Sequence, residues 1–361
     1  MAGLDFTASD YLGYRHDHAA LRPWRRLTTG RPAVLGEPRQ AMCLAAELAR
    51  RTGRAAGVLE TSTLHAMVDV WSVLTAGPVT VLVDEVAYPI GRIALRANGV
   101  TATVVRHFDP GHVCDVVAAV PRRGRVVLLV DGLCSGCGRL APLDRLLEAV
   151  APRRGVIVVD DTQAVGLAGA RPTRGRPYGH GGGGTAAWLG LPAAAPVVLV
   201  ASAAKALGAP LAVVTGPARL VAQVRRTGPS RIHAGGPSAA ARAALAGALA
   251  TESLDATRRR HQVAALVQRF RSLCRTYGLP APDGGRWPTQ TVPVLAGNAQ
   301  AVHESLLRKG IRSVLVHRRC RPGIGIAFLI TADHSAAMVD RAVRTLADVL
   351  GGVRLGEGRA S

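Results

Sequence analysis

Lysine is almost missing from this chain. Of its 45 basic side chains only Lys205 and Lys309 are lysines. A bias of that kind reads as a GC-rich coding sequence in which arginine replaces lysine everywhere, so each remaining lysine calls for a reason. Aromatic residues are only 4%, which leaves Ala, Val and Leu to build the core of a chain that is 48% hydrophobic. Acidic residues are scarce beside the basic ones, and the net charge is +21. Such an excess ordinarily points to nucleic acid. Here, however, the arginines are scattered as short pairs (Arg25-Arg26, Arg50-Arg51, Arg122-Arg123, Arg153-Arg154) rather than gathered on one arm. Solvated surface charge is the first reading, a phosphate-rich or acidic partner the second, and nucleic acid the last. Cys134-Ser-Gly-Cys137 is the one CxxC among six cysteines, and no second Cys or His pair completes a zinc set. Reduced thiols in a cytoplasmic protein without a metal are expected, with a redox role for the CxxC as the alternative. The N-terminus has no basic segment followed by an apolar one, so no signal peptide is read. Residues 185–204 carry no charge, but Gly190, Pro192 and Pro196 keep every clean run below the ~20 residues a membrane span needs.

What is present is a series of short apolar runs, the mark of strands buried on both faces. They fall at 56–59, 79–83, 101–105, 126–130, 156–159, 197–201 and 211–215. Helical patterns at 41–51, 64–74 and 143–150 lie between them. Alternation of this kind implies a parallel α/β sheet with helices on both faces. After Gly216 the pattern changes to a long Ala- and Arg-rich helix over about 239–277. Strands at 291–295, 311–316 and 325–330 follow, with helices at 299–309 and 335–350. The expected division is an N-terminal arm over 1–40, a large domain over 41–240 and a small α+β domain over 241–361, bridged by the long helix.

Three places carry chemistry. The strand 156–159 ends in Asp160-Asp161, at the kind of strand end where open α/β sheets bind ligands; a pair of acids capping a turn is the plainer reading. The strand 197–201 runs into Ser202-Ala-Ala-Lys205-Ala-Leu-Gly208. A desolvated lysine amine can form a Schiff base and a guanidinium cannot, and the small apolar neighbours of Lys205 do not suit a surface lysine. The turn Thr61-Ser62-Thr63-Leu64 places hydroxyls and free N–H groups at a helix start, which suits a phosphate or an ordinary N-cap. A lysine, a carboxylate and a phosphate nest on neighbouring strand ends meet the needs of pyridoxal 5′-phosphate (PLP).

At these residues the chain resembles the PLP-dependent α-oxoamine synthase family, within aminotransferase class II. Ser9-Asp-Tyr-Leu-Gly13 is similar to the family's (S/N)-(N/D)-Y-L-G. Asp131-Gly-Leu-Cys-Ser135-Gly-Cys-Gly138-Arg-Leu-Ala-Pro142-Leu143 resembles E-G-x-x-S-M-D-G-x-x-A-P-L. Asp160-Asp-Thr-Gln163-Ala-Val-Gly166 resembles D-(E/D)-A-H-x-x-G. Ser202 to Gly208 resembles T-x-(S/G)-K-A-x-G, and Thr331-Ala-Asp-His334 resembles T-A-x-H. The resemblance covers almost the whole chain. It implies a fold-type I transferase, with a large, mostly parallel-sheet domain and a smaller α+β C-terminal domain, working as a homodimer. Lys205 would form the Schiff base and Asp160 would pair with the pyridinium nitrogen. Ser202 would contact the phosphate, with Ser62 and the N–H groups of Thr63 and Leu64. Ser135 would lie near the phenolic oxygen. Tyr88 stands where the family stacks a His on the ring, and Gln163 where it has a second His.

The substrate side departs from the pattern. Ala327 replaces the family's carboxylate-binding Arg, and Ala41 replaces an N-terminal His. The segment Tyr178-Gly-His180-Gly-Gly-Gly-Gly184 is extra. His180 is a candidate substrate contact there, while such glycines commonly mean a flexible loop. Arg31, Arg318, Arg319 and Arg321 are candidate replacements for the carboxylate clamp. Three functions follow. The first is decarboxylative condensation of an amino acid with an acyl thioester of coenzyme A or a carrier protein. The second is aminotransfer, and the third is a non-catalytic basic scaffold.

Overall fold

The structure, a computed structural model, describes residues 3–14, 27–120, 124–250 and 255–357. The pairs Arg25-Arg26 and Arg122-Arg123 lie outside the described residues. Two compact units are present. One holds Met1–Gly13, Cys134–Arg139 and Asp255–Ser361; the other holds Tyr14–Leu133 and Leu140–Leu254. The first strand of the chain, β1 (Leu4–Asp5), belongs to the first and smaller of these.

The larger unit is built on β2 (Ala56–Glu60), β3 (Val79–Asp84), β4 (Thr103–Val105), β5 (Arg125–Asp131), β6 (Val156–Asp160), β7 (Val197–Ser202) and β8 (Ala212–Gly216). They form one sheet in the order β2-β8-β7-β6-β5-β3-β4. All seven coincide with the apolar runs of the sequence. The pairs from β4 to β7 are parallel, while β8 is antiparallel to both β7 and β2. The antiparallel β8 makes this sheet mostly parallel, as expected, and not wholly so. A parallel return needs a crossover of a dozen residues or more, and the connection 203–211 is too short for one.

Helices α1 (Arg39–Arg51), α2 (Thr63–Leu74), α3 (Pro89–Ala97), α4 (Pro110–Ala119), α5 (Leu143–Val150), α6 (Gly184–Trp188), α7 (Ala218–Thr227), α8 (Pro229–His233) and α9 (Ala239–Ala250) surround this sheet. Alternate strand residues feed two separate cores. Val58, Val200 and Val214 pack with Met67, Val70 and Trp71 of α2. Their neighbours Leu59, Ala201 and Val213 pack with Leu44 and Leu48 of α1 and Leu245 of α9. Strand side chains alternate between faces, so the two cores lie on opposite sides of the sheet, as the sequence implied.

The smaller unit contains α10 (Asp255–Thr276), β9 (Thr289–Val294), α11 (Ala299–Arg308), β10 (Ile311–Arg312), β11 (Val314–His317), β12 (Ile324–Leu329) and α12 (Ala336–Glu357). Strands β11-β12-β9 form an antiparallel sheet, and β1 pairs in parallel with β10. Within the helix expected over 239–277, residues 239–250 and 255–276 are helical, and Asp255 bonds Arg258 and Arg259 at 2.7 Å each, one turn on. Two expectations change here. The strand expected over 311–316 splits at Ser313, because its two parts pair in different sheets. Residues 3–13 are not an arm. Phe6 and Leu12 are fully buried, and Phe6 stacks on His334 with centroids 4.2 Å apart. Among the described residues, no helix is long and apolar enough to cross a membrane.

Candidate active site

The ends of the parallel strands carry the candidate residues of the larger unit. Asp131 and Asp160 end β5 and β6 and face each other in register. On β7, Val200 pairs with Asp160 and Ser202 ends the strand. The chain then enters the lysine turn. The N–H of Ala203 donates to the carbonyl of Leu211 at 2.8 Å, that of Ala209 to Ala203 at 3.0 Å and that of Gly208 to Lys205 at 3.2 Å. Ala203, Ala206, Leu207, Ala209 and Leu211 are all buried, so the small residues of the motif seat the turn on the core. Gly208 takes φ 60°, a left-handed conformation that glycine adopts without penalty.

This arrangement sets the chemistry of Lys205. Burial pushes its amine below the ordinary lysine range, while the Asp160 carboxylate pulls it back up. Thr162 ties the two ends together: its N–H donates to Asp160 Oδ1 at 3.2 Å, and its hydroxyl oxygen accepts from the N–H of Ser202 at 3.1 Å. The Ser202 hydroxyl in turn accepts from the N–H of Ala204 at 3.2 Å. The sequence assigned no role to Thr162, or to Asp131 beyond its place at the head of a family-like motif. Asp131 accepts from the N–H of Tyr88 at 2.8 Å and so holds the start of α3, while the Tyr88 side chain is 54% exposed. The position of Asp131 at a strand end was the available signal, since it matches that of Asp160.

Ser202 pairs with Ala212, and Ala212 pairs with Glu60, the last residue of β2. The turn at Thr61–Leu64 therefore leaves the sheet two strands from Ser202, about 10 Å away at normal strand spacing. Ser62 is the N-cap of α2, and its hydroxyl accepts from the N–H of His65 at 3.4 Å. The capping reading thus holds for its side chain, and the orphan N–H groups of the first helical turn at Thr63 and Leu64 are what a phosphate would meet.

The remaining candidates are spread out. Gln163 is half-buried in the turn after β6. Ser135 is half-buried in the turn Cys134–Arg139 of the smaller unit. Arg31 is exposed. Arg318 is held by Asp283 at 2.7 Å, and the exposed Arg321 lies 3.9 Å from the same carboxylate, both in the smaller unit. Ala327 is buried in the middle strand of the three-stranded sheet, between Thr291 and Val314.

The glycine-rich segment is not a loose loop. Tyr178 is buried, and the segment is hydrogen-bonded along residues 166–170: His180 and Ala170 exchange both backbone bonds, at 2.8 and 3.0 Å, and the N–H of Gly184 donates to Ala168 at 2.8 Å. The His180 ring lies exposed against the Arg176 guanidinium, 2.8 Å away. The glycines are there for close approach. A Cβ at Gly184, where φ is 80°, would stand 2.0 Å from Asp161 Oδ2.

That contact explains the second acid of the Asp-Asp pair. Asp161 is fully buried and accepts from the Thr185 hydroxyl at 2.5 Å and the Thr185 N–H at 2.9 Å. Burial pushes its carboxyl up to about 6. The folded protein therefore holds this proton more tightly than the unfolded chain does. The resulting stability is full below about pH 4 and is lost as pH rises through about 6. On the order of 3 kcal/mol is expected to disappear across that window. Denaturant unfolding at a series of pH values should show this slope in the parent protein and a flatter one in Asp161→Asn. Glu60, pushed up to about 7 by burial, adds a slope of its own to both proteins. Equal slopes in parent and variant would refute the assignment.

The donor set fits PLP: a half-buried amine near a carboxylate, a free edge of helix N–H groups for phosphate, and an exposed aromatic ring. No family profile matches the chain. It is 33% identical to the 8-amino-7-oxononanoate synthase of Halorhodospira halophila over 357 residues, covering 95% of this chain and 84% of that protein. Its fold is similar to serine palmitoyltransferase from S. paucimobilis with a bound PLP–myriocin aldimine, at TM-score 0.84 and 15% identity, covering 98% of this chain and 88% of that one. The 8-amino-7-oxononanoate synthase of Francisella tularensis superposes at TM-score 0.78 and 15% identity, covering 98% and 99%.

Proposed function

Because this chain belongs to the PLP-dependent α-oxoamine synthase family, we propose that it joins an amino acid to the acyl group of a thioester with loss of CO₂, and that Lys205 moves the proton. The observation that carries this reading is the half-buried Lys205 side chain under the influence of Asp160 in the turn after β7. PLP, when bound, supplies a ring that draws electrons from the substrate carbon beside the amine. Lys205 would hold it covalently, and Asp160 would keep its ring nitrogen protonated. Tyr88 offers an exposed ring for stacking. Ser202 and the first turn of α2 would take the phosphate. A glutamine has no proton to exchange near neutral pH, so Gln163 would orient and not titrate. Acid–base work then falls to Lys205, whose lowered affinity for its proton leaves more neutral amine to act as base.

A buried alanine stands where the family pattern has its carboxylate-binding arginine, so the substrate carboxylate would need another cation, with Arg31, Arg321 and His180 as the candidates. The net charge of +21 suits an acyl donor on coenzyme A or an acidic carrier protein. Unbridged cysteines suit the cytoplasm. The large apolar side chains left exposed in the larger unit, among them Leu35, Met42, Leu64 and Ile232, suit cover by a second copy. The test is to titrate the PLP-loaded protein with a panel of amino acids and then add acyl-coenzyme A. A change in visible absorption with some amino acids is expected, with free thiol and CO₂ released only when both substrates are present. Conversion to the pyridoxamine form and a keto acid by the amino acid alone would replace condensation with aminotransfer.

A further inference from the structure

A turn that matches the family pattern only in part is also where three thiols meet. In E-G-x-x-S-M-D-G the family places Met and Asp where this chain has Gly136 and Cys137. Cys320, distant in sequence, sits in the loop between β11 and β12 of the same unit. The sulfurs of Cys134 and Cys320 are 3.1 Å apart, and those of Cys134, Cys137 and Cys320 all lie within 4.8 Å of one another. The two replacements act together. A Cβ at Gly136 would stand 2.8 Å from Cys320 Sγ, so the glycine opens the space that the third sulfur fills.

The surroundings suit bound thiolates. The N–H of Cys137 donates to the sulfur of Cys134. The turn is closed by the N–H of Gly138 on the Cys134 carbonyl at 2.8 Å and the N–H of Cys134 on the Arg139 carbonyl at 3.0 Å. The Arg139 side chain hydrogen-bonds Cys137. A cation at that point offsets the net negative charge of a divalent ion held by three thiolates. Around a tetrahedral zinc, sulfurs at ~2.3 Å from the metal stand about 3.8 Å from one another, longer than the Cys134–Cys320 distance of 3.1 Å and inside the 4.8 Å within which all three sulfurs lie.

We infer that Cys134, Cys137 and Cys320 form a structural zinc(II) site in which three thiolates hold the ion and an imidazole or a water fills the fourth position. The soft donor set and the absence of acidic ligands among these three favour zinc over magnesium, calcium or manganese. Binding releases the thiol protons to solvent and changes no oxidation state. The ion would fasten the turn Cys134–Arg139 to the loop that carries Cys320.

The test uses the full-length protein purified with a thiol reductant and no chelator. About one zinc per chain is expected by elemental analysis. Cobalt(II) exchange should give an intense near-ultraviolet thiolate-to-metal band, and X-ray absorption should show three sulfur neighbours. Cys320→Ser and Cys137→Ser should each weaken zinc binding more than about 100-fold, since even outer-shell changes cost up to that much. Cys114→Ser, an exposed cysteine outside the cluster, should keep the metal. If either cluster variant fails to fold, the stoichiometry and cobalt spectrum of the parent still decide. A parent that binds no zinc, or a Cys134–Cys320 disulfide that forms under the same conditions, would overturn the site.

Discussion

Lys205→Ala should lose the visible absorption band of bound PLP and at least about 10⁴-fold in turnover, the upper range for a group that moves a proton. The expectation rests on the scarcity of amines. Lys309, the only other lysine, is exposed at the end of α11. Lys205 by contrast is half-buried, and its desolvation lowers its affinity for the proton. The alanine keeps the turn, because the backbone bonds of 203–211 do not use the lysine side chain. Circular dichroism should therefore match the parent. Lys205→Arg is the sharper control: the charge remains, but a guanidinium forms no covalent link, and activity should still be lost. Borohydride reduction followed by peptide mapping should place the label on Lys205 in the parent. Turnover that survives in both variants would remove Lys205 from the reaction.

Asp160→Asn is expected to lower turnover by about 10²–10³-fold, the usual cost of removing one preorganised electrostatic partner. The carboxamide oxygen can still accept from the N–H of Thr162, so the strand end should survive. What disappears is the negative charge. In the parent, Asp160 raises the proton affinity of Lys205 against the effect of burial. Without it the ammonium loses its counter-charge, and the amine should titrate at lower pH. The pH–rate profile of the variant should accordingly move its acidic limb downward. An unchanged rate and an unmoved limb would show that Asp160 and Lys205 do not act together.

The cofactor side was legible because it lies on strand ends and in short turns. Each run of buried apolar residues marks a strand, and the residue that follows it is at the sheet's carboxyl edge. Asp160, Ser202 and Lys205 could be found in that way. The roles of Asp131 and Thr162 could not, since both depend on which strands are neighbours. Asp131 reaches Tyr88 only because β5 lies beside β3, and Thr162 reaches Ser202 only because β6 lies beside β7. The glycine segment misled for a related reason. Glycine in a sequence reads equally as freedom or as close approach, and only the buried Asp161 carboxylate beside Gly184 decides between them.

Local chemistry and periodicity therefore settled the α/β class and the strands of the larger sheet, and brought forward Lys205 and Asp160 as candidates, because each depends on residues near one another in the chain. The tertiary structure alone decided the antiparallel β8, the burial of Phe6 and Leu12 and the pairing of Arg318 with Asp283. It also decided the meeting of Cys134 and Cys137 with Cys320. In sequence that CxxC had no partner, because its third sulfur lies 186 residues from Cys134. Contacts over such separations are made by chain topology, which brings together residues that no local pattern connects.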